Sequence, residues 1–230
     1  MKIGAIIQAR MTSQRFPGKV LYEIAGKPVL LYLLERLKYC SSLDSIVVAI
    51  SSDKMDDPIH LFCQKYKIPC YRGSLGNVAE RFISVLDESC FDAFVRVNGD
   101  SPLLDQRLVE QGLEIFRNNS HFDVVTNVFP RTYPKGQSVE VLKSAVFRAA
   151  FPSFQENEDK EHVTTFFYRN NGNFKIINFY SEKNNGHIQL SIDTPQDMNI
   201  FERIISSMTR PHWEYNLDDI LELYRKVADF

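Results

Sequence analysis

The chain lacks the marks of several large protein classes. Its four cysteines, Cys40, Cys63, Cys70 and Cys90, show no CxxC spacing and no nearby histidine pairs. Reduced, mostly buried thiols are therefore the expectation. No G-x-G-x-x-G follows the first apolar segment, which argues against a dinucleotide-binding oxidoreductase. Lys and Arg number 27 against 29 Asp and Glu, a formal charge of −2. No global basic field exists to hold nucleic acid. Long apolar runs are missing too. The strongest, over 28–40, carries Glu35, Arg36 and Lys38 and is too short to span a bilayer. Arg10 interrupts the N-terminal apolar run, so no signal peptide is read there. There is no internal repeat or low-complexity segment. These lacks predict a cytoplasmic protein with neither membrane nor nucleic acid as partner.

What is present suits a globular α/β protein. With 230 residues, 44% hydrophobic and 24% charged, the chain can bury one large domain, or one domain with a sizeable insertion. Strand-like stretches at 2–8, 45–50, 69–71, 93–97 and 122–126 alternate with helix-like stretches at about 28–39, 56–67, 76–88 and 105–118. Apolar strands between amphipathic helices predict a mostly parallel sheet with helices on both faces. The alternation weakens over about 127–180, where Pro130, Pro134 and Gly136 lead into a strand-like 138–142, two helical stretches and a strand-like 174–180. This stretch is expected to be an insertion or subdomain within a single domain. The sheet pattern resumes at 188–192, followed by helices over about 195–208 and 216–228.

Chemistry concentrates at the ends of these strands. Residues 2–8 run into Ala9-Arg10-Met-Thr-Ser13-Gln-Arg15-Phe-Pro17-Gly18-Lys19, a loop with three cations and no acid. At the carboxyl end of a first parallel strand, such a loop can lay cations and backbone N–H groups around phosphates. It reads as exposed, so substitutions at Arg10 or Lys19 are expected to leave folding nearly untouched. Asp100, in Arg96-Val-Asn98-Gly99-Asp100-Ser-Pro102, follows the strand 93–97 and suits a hard divalent cation, or it caps the next helix. Asp193, in Ser191-Ile-Asp193-Thr194-Pro195-Gln-Asp197, also closes a strand-like segment. It completes a divided metal site, or Asp193 or Thr194 is an N-cap. The segment 71–81 offers Gly73, Asn77 and Arg81 as contacts to a base or ribose, unless it is an ordinary strand–loop–helix junction. Gln137, Glu140 and His162 are candidates to face an acceptor, although His162 could equally be a satisfied histidine.

At these residues the sequence resembles the cytidylyltransferase family that includes CMP-KDO synthetase and acylneuraminate cytidylyltransferase, most of all its spore-coat-polysaccharide branch. The branch's IIQARMxSxRxPGKVL is met by IIQARMTSQRFPGKVL, its R-hydrophobic-T/N-GD-x-P-L-x-D by RVNGDSPLLD, and its V-D-T-P-x-D by IDTPQD. RGSLGNVAERF, EHVT and a G-x-x-V-E-V element also fit, in order, from Ile6 to Asp197. The resemblance implies a Rossmann-like nucleotidyltransferase (nucleotide-diphospho-sugar transferase) fold with an inserted dimerisation subdomain. It further implies CTP over the N-terminal loop, with the cytosine near the backbone of Gln8 and Ala9. Arg10, Ser13, Arg15 and Lys19 would lie around the triphosphate, Asn98 near ribose or acceptor, and Mg²⁺ on Asp100 and Asp193. Gln8 replaces the proline common in KDO and sialate enzymes, and Gly18-Lys19-Val20 their x-Lys-Asn, which leaves the acceptor open.

The mechanism implied is attack by an acceptor oxygen on the α-phosphate of CTP, expelling pyrophosphate, with Arg10, Lys19 and Asp100 as the catalytic residues. No histidine or cysteine stands in the three main motifs, which argues against a covalent nucleotidyl-enzyme. Alternatives are a sugar-phosphate nucleotidylyltransferase with another base, or a non-catalytic nucleotide-binding module of the same fold. Eleven large rings between Phe129 and Tyr180 further predict a homodimer through this region, unless they cover the parent sheet.

Overall fold

Strand β1 (Ile3–Gln8) is buried on both sides, with Ile3, Ala5, Ile6 and Ile7 fully inaccessible. In the computed structural model, which describes residues 1–228, it lies inside a seven-stranded sheet. After β1 come a short hairpin, β2 (Glu23–Ile24) and β3 (Lys27–Pro28), and helix α1 (Val29–Leu37). Next are β4 (Ser45–Ser51), α2 (Asp57–Tyr66), β5 (Cys70–Gly73), α3 (Val78–Ser89), β6 (Ala93–Asn98) and α4 (Gln106–Asn118). Then follow β7 (Val124–Thr126), β8 (Glu140–Lys143), α5 (Ser144–Ala150), α6 (Asn157–Glu161), α7 (Thr165–Arg169) and β9 (Ile176–Asn178). Helices α8 (Pro195–Ser206) and α9 (Leu217–Ala228) close the chain. The sheet order is β5-β4-β1-β6-β8-β7-β9, and every pairing is parallel except those of β8 with β6 and β7. The mostly parallel α/β sheet expected from the sequence is what forms.

Alternation along β1 divides the core. Ala5 and Ile7 face a cluster that includes α1, Val109, Leu113 and Phe116 of α4, and Phe201 of α8. Ile6 faces the other cluster, with Val78, Phe82 and Leu86 of α3 and Phe147 of α5. Helices thus cover both faces, as strands buried on both sides require. Cys40 and Cys63 are buried, Cys70 is half-buried and Cys90 is exposed, all as free thiols. No helix among the described residues is long and apolar enough to cross a membrane.

One expectation, a sheet strand at 188–192, is revised. The stretch 127–180 carries β8 and β9 into the main sheet, and its helices lie on the α3 side. Phe147, Phe154 and Phe167 are buried there against Phe82 and Phe94 of the parent fold. Most of the aromatic area that suggested a partner is thus spent within the chain; Phe129 and Tyr180 are its exposed large rings. The segment 188–192 is not a ladder strand. It makes one isolated parallel bridge, Lys135 with Gln189. Gly136 permits that approach: its φ is 91°, and a Cβ there would stand 2.5 Å from the Ser191 nitrogen. This docking sets Asp193 at the carboxyl edge of the sheet.

Candidate active site

The loops after β1 and β6 and the turn before α8 border a cleft of about 380 Å³ at the carboxyl ends of the parallel strands, where open α/β sheets bind ligands. The first loop is held by a buried carboxylate. Asp56 accepts from the Met11 backbone at 2.7 Å and from the Ser51 backbone at 3.1 Å, tying the loop to the end of β4. Gly18, at φ 75°, turns the chain so that Lys19 points back under the cleft.

Lys19 is the centre of one half of the site. It is 6% exposed. Its ammonium donates to Asp100 Oδ2 at 2.6 Å, to Asp193 Oδ1 at 3.2 Å and to the Ile192 carbonyl. Arg15, exposed, reaches the same Asp193 oxygen at 2.9 Å. Neither aspartate is a helix cap. Asp105 caps α4, accepting from the Arg107 backbone at 3.0 Å. Thr194 and Asp197 form the capping box of α8. Both carboxylates are left facing the cleft, from two different loops, around the Lys19 ammonium.

The other half is lined by Gln8, Val78, Arg81, Arg96, Glu161 and His162. Arg10 lies across it, ion-paired with Glu161 at 2.8 Å. Arg81 is buried; it donates to the Ser74 and Leu75 carbonyls, while its Nε has no partner. Burial pulls its pKa below the usual guanidinium value, with Asp56 and Glu161 acting against that shift. Val163, beside His162, has φ 25°, a costly value for a β-branched residue.

Of the residues singled out in the sequence, Gln8, Ala9, Arg10, Ser13, Arg15, Lys19, Arg81, Asn98, Asp100, His162 and Asp193 come together around this cleft. Four do not border it. Gly73 ends β5, paired with Ser51. Asn77 caps α3, its side chain accepting from the Glu80 backbone at 3.0 Å. Gln137 is fully buried and staples the Asp100 loop from behind: its Nε2 donates to the Leu103 carbonyl at 2.7 Å and its Oε1 accepts from the Asp105 backbone at 2.9 Å. Glu140 is buried beneath the floor, ion-paired with Arg96 at 2.7 Å. Burial pushes Glu140 up, but Arg96 and hydrogen bonds from Tyr168 and Thr164 outweigh this and hold it below the usual carboxylate range. Gly99 serves packing, since a Cβ there would meet the Gln8 carbonyl oxygen at 3.1 Å. Arg96 and Glu161, read in the sequence only as parts of the RVNGDSPLLD and EHVT motifs, also line the cleft; local sequence carries no sign of which motif side chains face inward. Buried Arg36 supports the same region, donating to the Leu104 carbonyl at 2.7 Å and the Tyr215 carbonyl at 2.8 Å. That burial draws its pKa down to about 10.

The family described as Cytidylyltransferase matches residues 4–227. The chain is 30% identical to the spore coat polysaccharide biosynthesis protein SpsF of Bacillus subtilis, over 84% of this chain and 81% of that protein. It is 34% identical to the 8-amino-3,8-dideoxy-manno-octulosonate cytidylyltransferase of Shewanella frigidimarina, over 55% of this chain and 52% of that enzyme. The structure of a cytidylyltransferase from Leptospira borgpetersenii superposes with a TM-score of 0.94 at 27% identity, covering 100% of this chain and 96% of that one.

Proposed function

The chain belongs to the cytidylyltransferase family, and from that premise we propose that it transfers CMP from CTP to a sugar acid, phosphorylated sugar or related small acceptor, releasing pyrophosphate, in the synthesis of a surface glycan. The observation that carries this reading is the convergence of Arg15 and Lys19 with Asp100 and Asp193 in one cleft, with Arg10 opposite. Relatives named for spore-coat polysaccharide and octulosonate chemistry support the acceptor class.

In this reading an acceptor oxygen attacks the α-phosphorus in line and the bond to pyrophosphate breaks. Negative charge grows on the leaving group. Arg10, Arg15 and Lys19 counter that charge, which lowers the barrier electrostatically. Lys19 is already oriented by three oxygen contacts, so little reorganisation remains when substrate arrives. Asp100 and Asp193 suit Mg²⁺: two carboxylates converging on a cation, completed by phosphate oxygens and water, are a donor set that a hard divalent ion takes. When bound, Mg²⁺ would supply further neutralisation of the phosphate oxygens. His162 and Asn98 line the cleft at positions able to contact the acceptor or ribose.

Pyrophosphate release measured with each of the four nucleoside triphosphates, over a panel of sugar acids and sugar phosphates, tests the reading. CTP is the expected donor. Preference for GTP or UTP would assign another base, and no release with any donor or acceptor would favour a non-catalytic module.

A further inference from the structure

Beneath the cleft, a row of polar side chains crosses four strands on the α3 side of the sheet. Arg96 on β6 is in register with Glu140 on β8, and Glu140 with Thr126 on β7. Gln8, two residues beyond Ile6 on β1, shares this face. Its register partner is Asn98.

The row is wired in one direction. Tyr168 from α7 donates to Glu140 Oε1 at 2.6 Å and lies 3.0 Å from Thr126 Oγ1. Glu140 Oε2 accepts from Arg96 Nη1 at 2.7 Å, and Thr164 Oγ1 accepts from the same nitrogen at 3.5 Å. Arg96 Nε then donates to Gln8 Oε1 at 3.2 Å. Such a buried ion pair adds little to stability relative to apolar residues of similar size. Its structural consequence is orientation.

A guanidinium has donors only. Arg96 therefore fixes which end of the Gln8 amide it holds: the oxygen faces Arg96, and the NH₂ end is left for the cleft. Beside it, the buried side-chain oxygen of Asn98 has no hydrogen-bond partner. That oxygen is shut off from the cleft, so the fixed Gln8 donor is the group that stands ready for a base. Val78, which packs in the same cluster as Ile6, supplies an apolar wall on this side. Cytosine presents an acceptor at N3 next to a donor at N4, whereas uracil presents a donor at N3 next to an acceptor at O4.

We propose that the Gln8 amide donor reads N3 of the base, and that Glu140 and Tyr168 are positioning residues acting on Gln8 through Arg96. The inference rests on the cytidylyl reading and adds the means by which CTP is told from UTP. Gln8→Glu exchanges the donor for an acceptor of the same shape. Glu140→Gln removes the charge that aims Arg96 while nearly keeping its volume.

The test is calorimetric titration of the full chain with CTP, UTP and inorganic tripolyphosphate, for wild type, Gln8→Glu, Gln8→Met and Glu140→Gln. Wild type is expected to prefer CTP. Gln8→Glu and Gln8→Met should each lower the CTP-to-UTP affinity ratio by about tenfold or more, and Glu140→Gln by about threefold or more. Tripolyphosphate affinity should stay within twofold, which general loss of structure would not allow. Unchanged ratios in both Gln8 variants overturn the base-reading role, and an unchanged ratio in Glu140→Gln alone overturns the relay. A wild type that prefers UTP would instead overturn the cytidylyl reading itself.

Discussion

Lys19→Ala separates the proposed catalytic role of one buried cation from its structural role. An ion pair that loses one partner in a fully buried setting costs about 3–5 kcal/mol, because the remaining charge is left uncompensated. Here the stranded groups are two carboxylates, Asp100 and Asp193, whose side chains are 25% and 26% exposed. Water reaches them, and Arg15 still holds Asp193 at 2.9 Å. The cost is therefore reduced to about 1–2 kcal/mol. In a domain of this size that lowers the melting temperature by roughly 2–8 °C. The near-neutral effect on folding expected from an exposed loop is thus revised, because Lys19 is not exposed. Turnover should fall about a hundredfold or more, the typical loss when one preorganised donor to a developing charge is removed. Lys19→Met, which keeps an apolar stem but no charge, should lose the same turnover. Circular dichroism melts and continuous pyrophosphate release with CTP measure the two effects. Wild-type melting and turnover within threefold of normal in Lys19→Ala would refute the assignment.

Other consequences follow from the same geometry. Arg10→Ala should cut turnover by about a hundredfold yet shift stability by less than about 1 kcal/mol, since its pair with Glu161 is partly solvated; a large fall in melting temperature would contradict this. Asp100→Asn and Asp193→Asn should raise the Mg²⁺ concentration for half-maximal rate, and an unchanged titration in Asp193→Asn would remove that residue from the metal site. His212 is buried and donates towards the Tyr32 carbonyl at 3.1 Å, and burial draws its pKa down to about 4. The unfolded chain then binds a proton that the folded chain refuses between about pH 6.5 and 4, so stability falls as pH is lowered through that window. The slope is at most about 1.4 kcal/mol per pH unit, and urea unfolding of His212→Gln should show it flattened. Light scattering is expected to give twice the chain mass of 26.6 kDa for a homodimer using the exposed rings Phe129 and Tyr180; the single-chain mass at micromolar concentration would end that proposal.

The sequence by itself determined the order and type of most elements. Apolar runs such as 2–8 and 93–97 can be buried on both faces only as inner strands, and the helical stretches between them show their own period. It also determined where cations and aspartates would gather, because these residues at strand ends are local features of a motif. Tertiary structure decided which way each motif residue points. Gln137 and Glu140 look like surface-ready polar side chains in sequence, but the connection before β8 buries Gln137 as a staple of the Asp100 loop, and the antiparallel pairing of β8 with β6 turns Glu140 onto Arg96. The rings of 127–180 are equally ambiguous until α5 and α7 lie on the sheet and bury Phe147 and Phe167. Asp193 and Thr194 compete for the same cap in sequence, and only the docking of 189–191 against Gly136 leaves Asp193 to meet Lys19. Periodicity is written in neighbours a few residues apart. Facing is set by contacts between residues far apart in the chain, and no local pattern carries it.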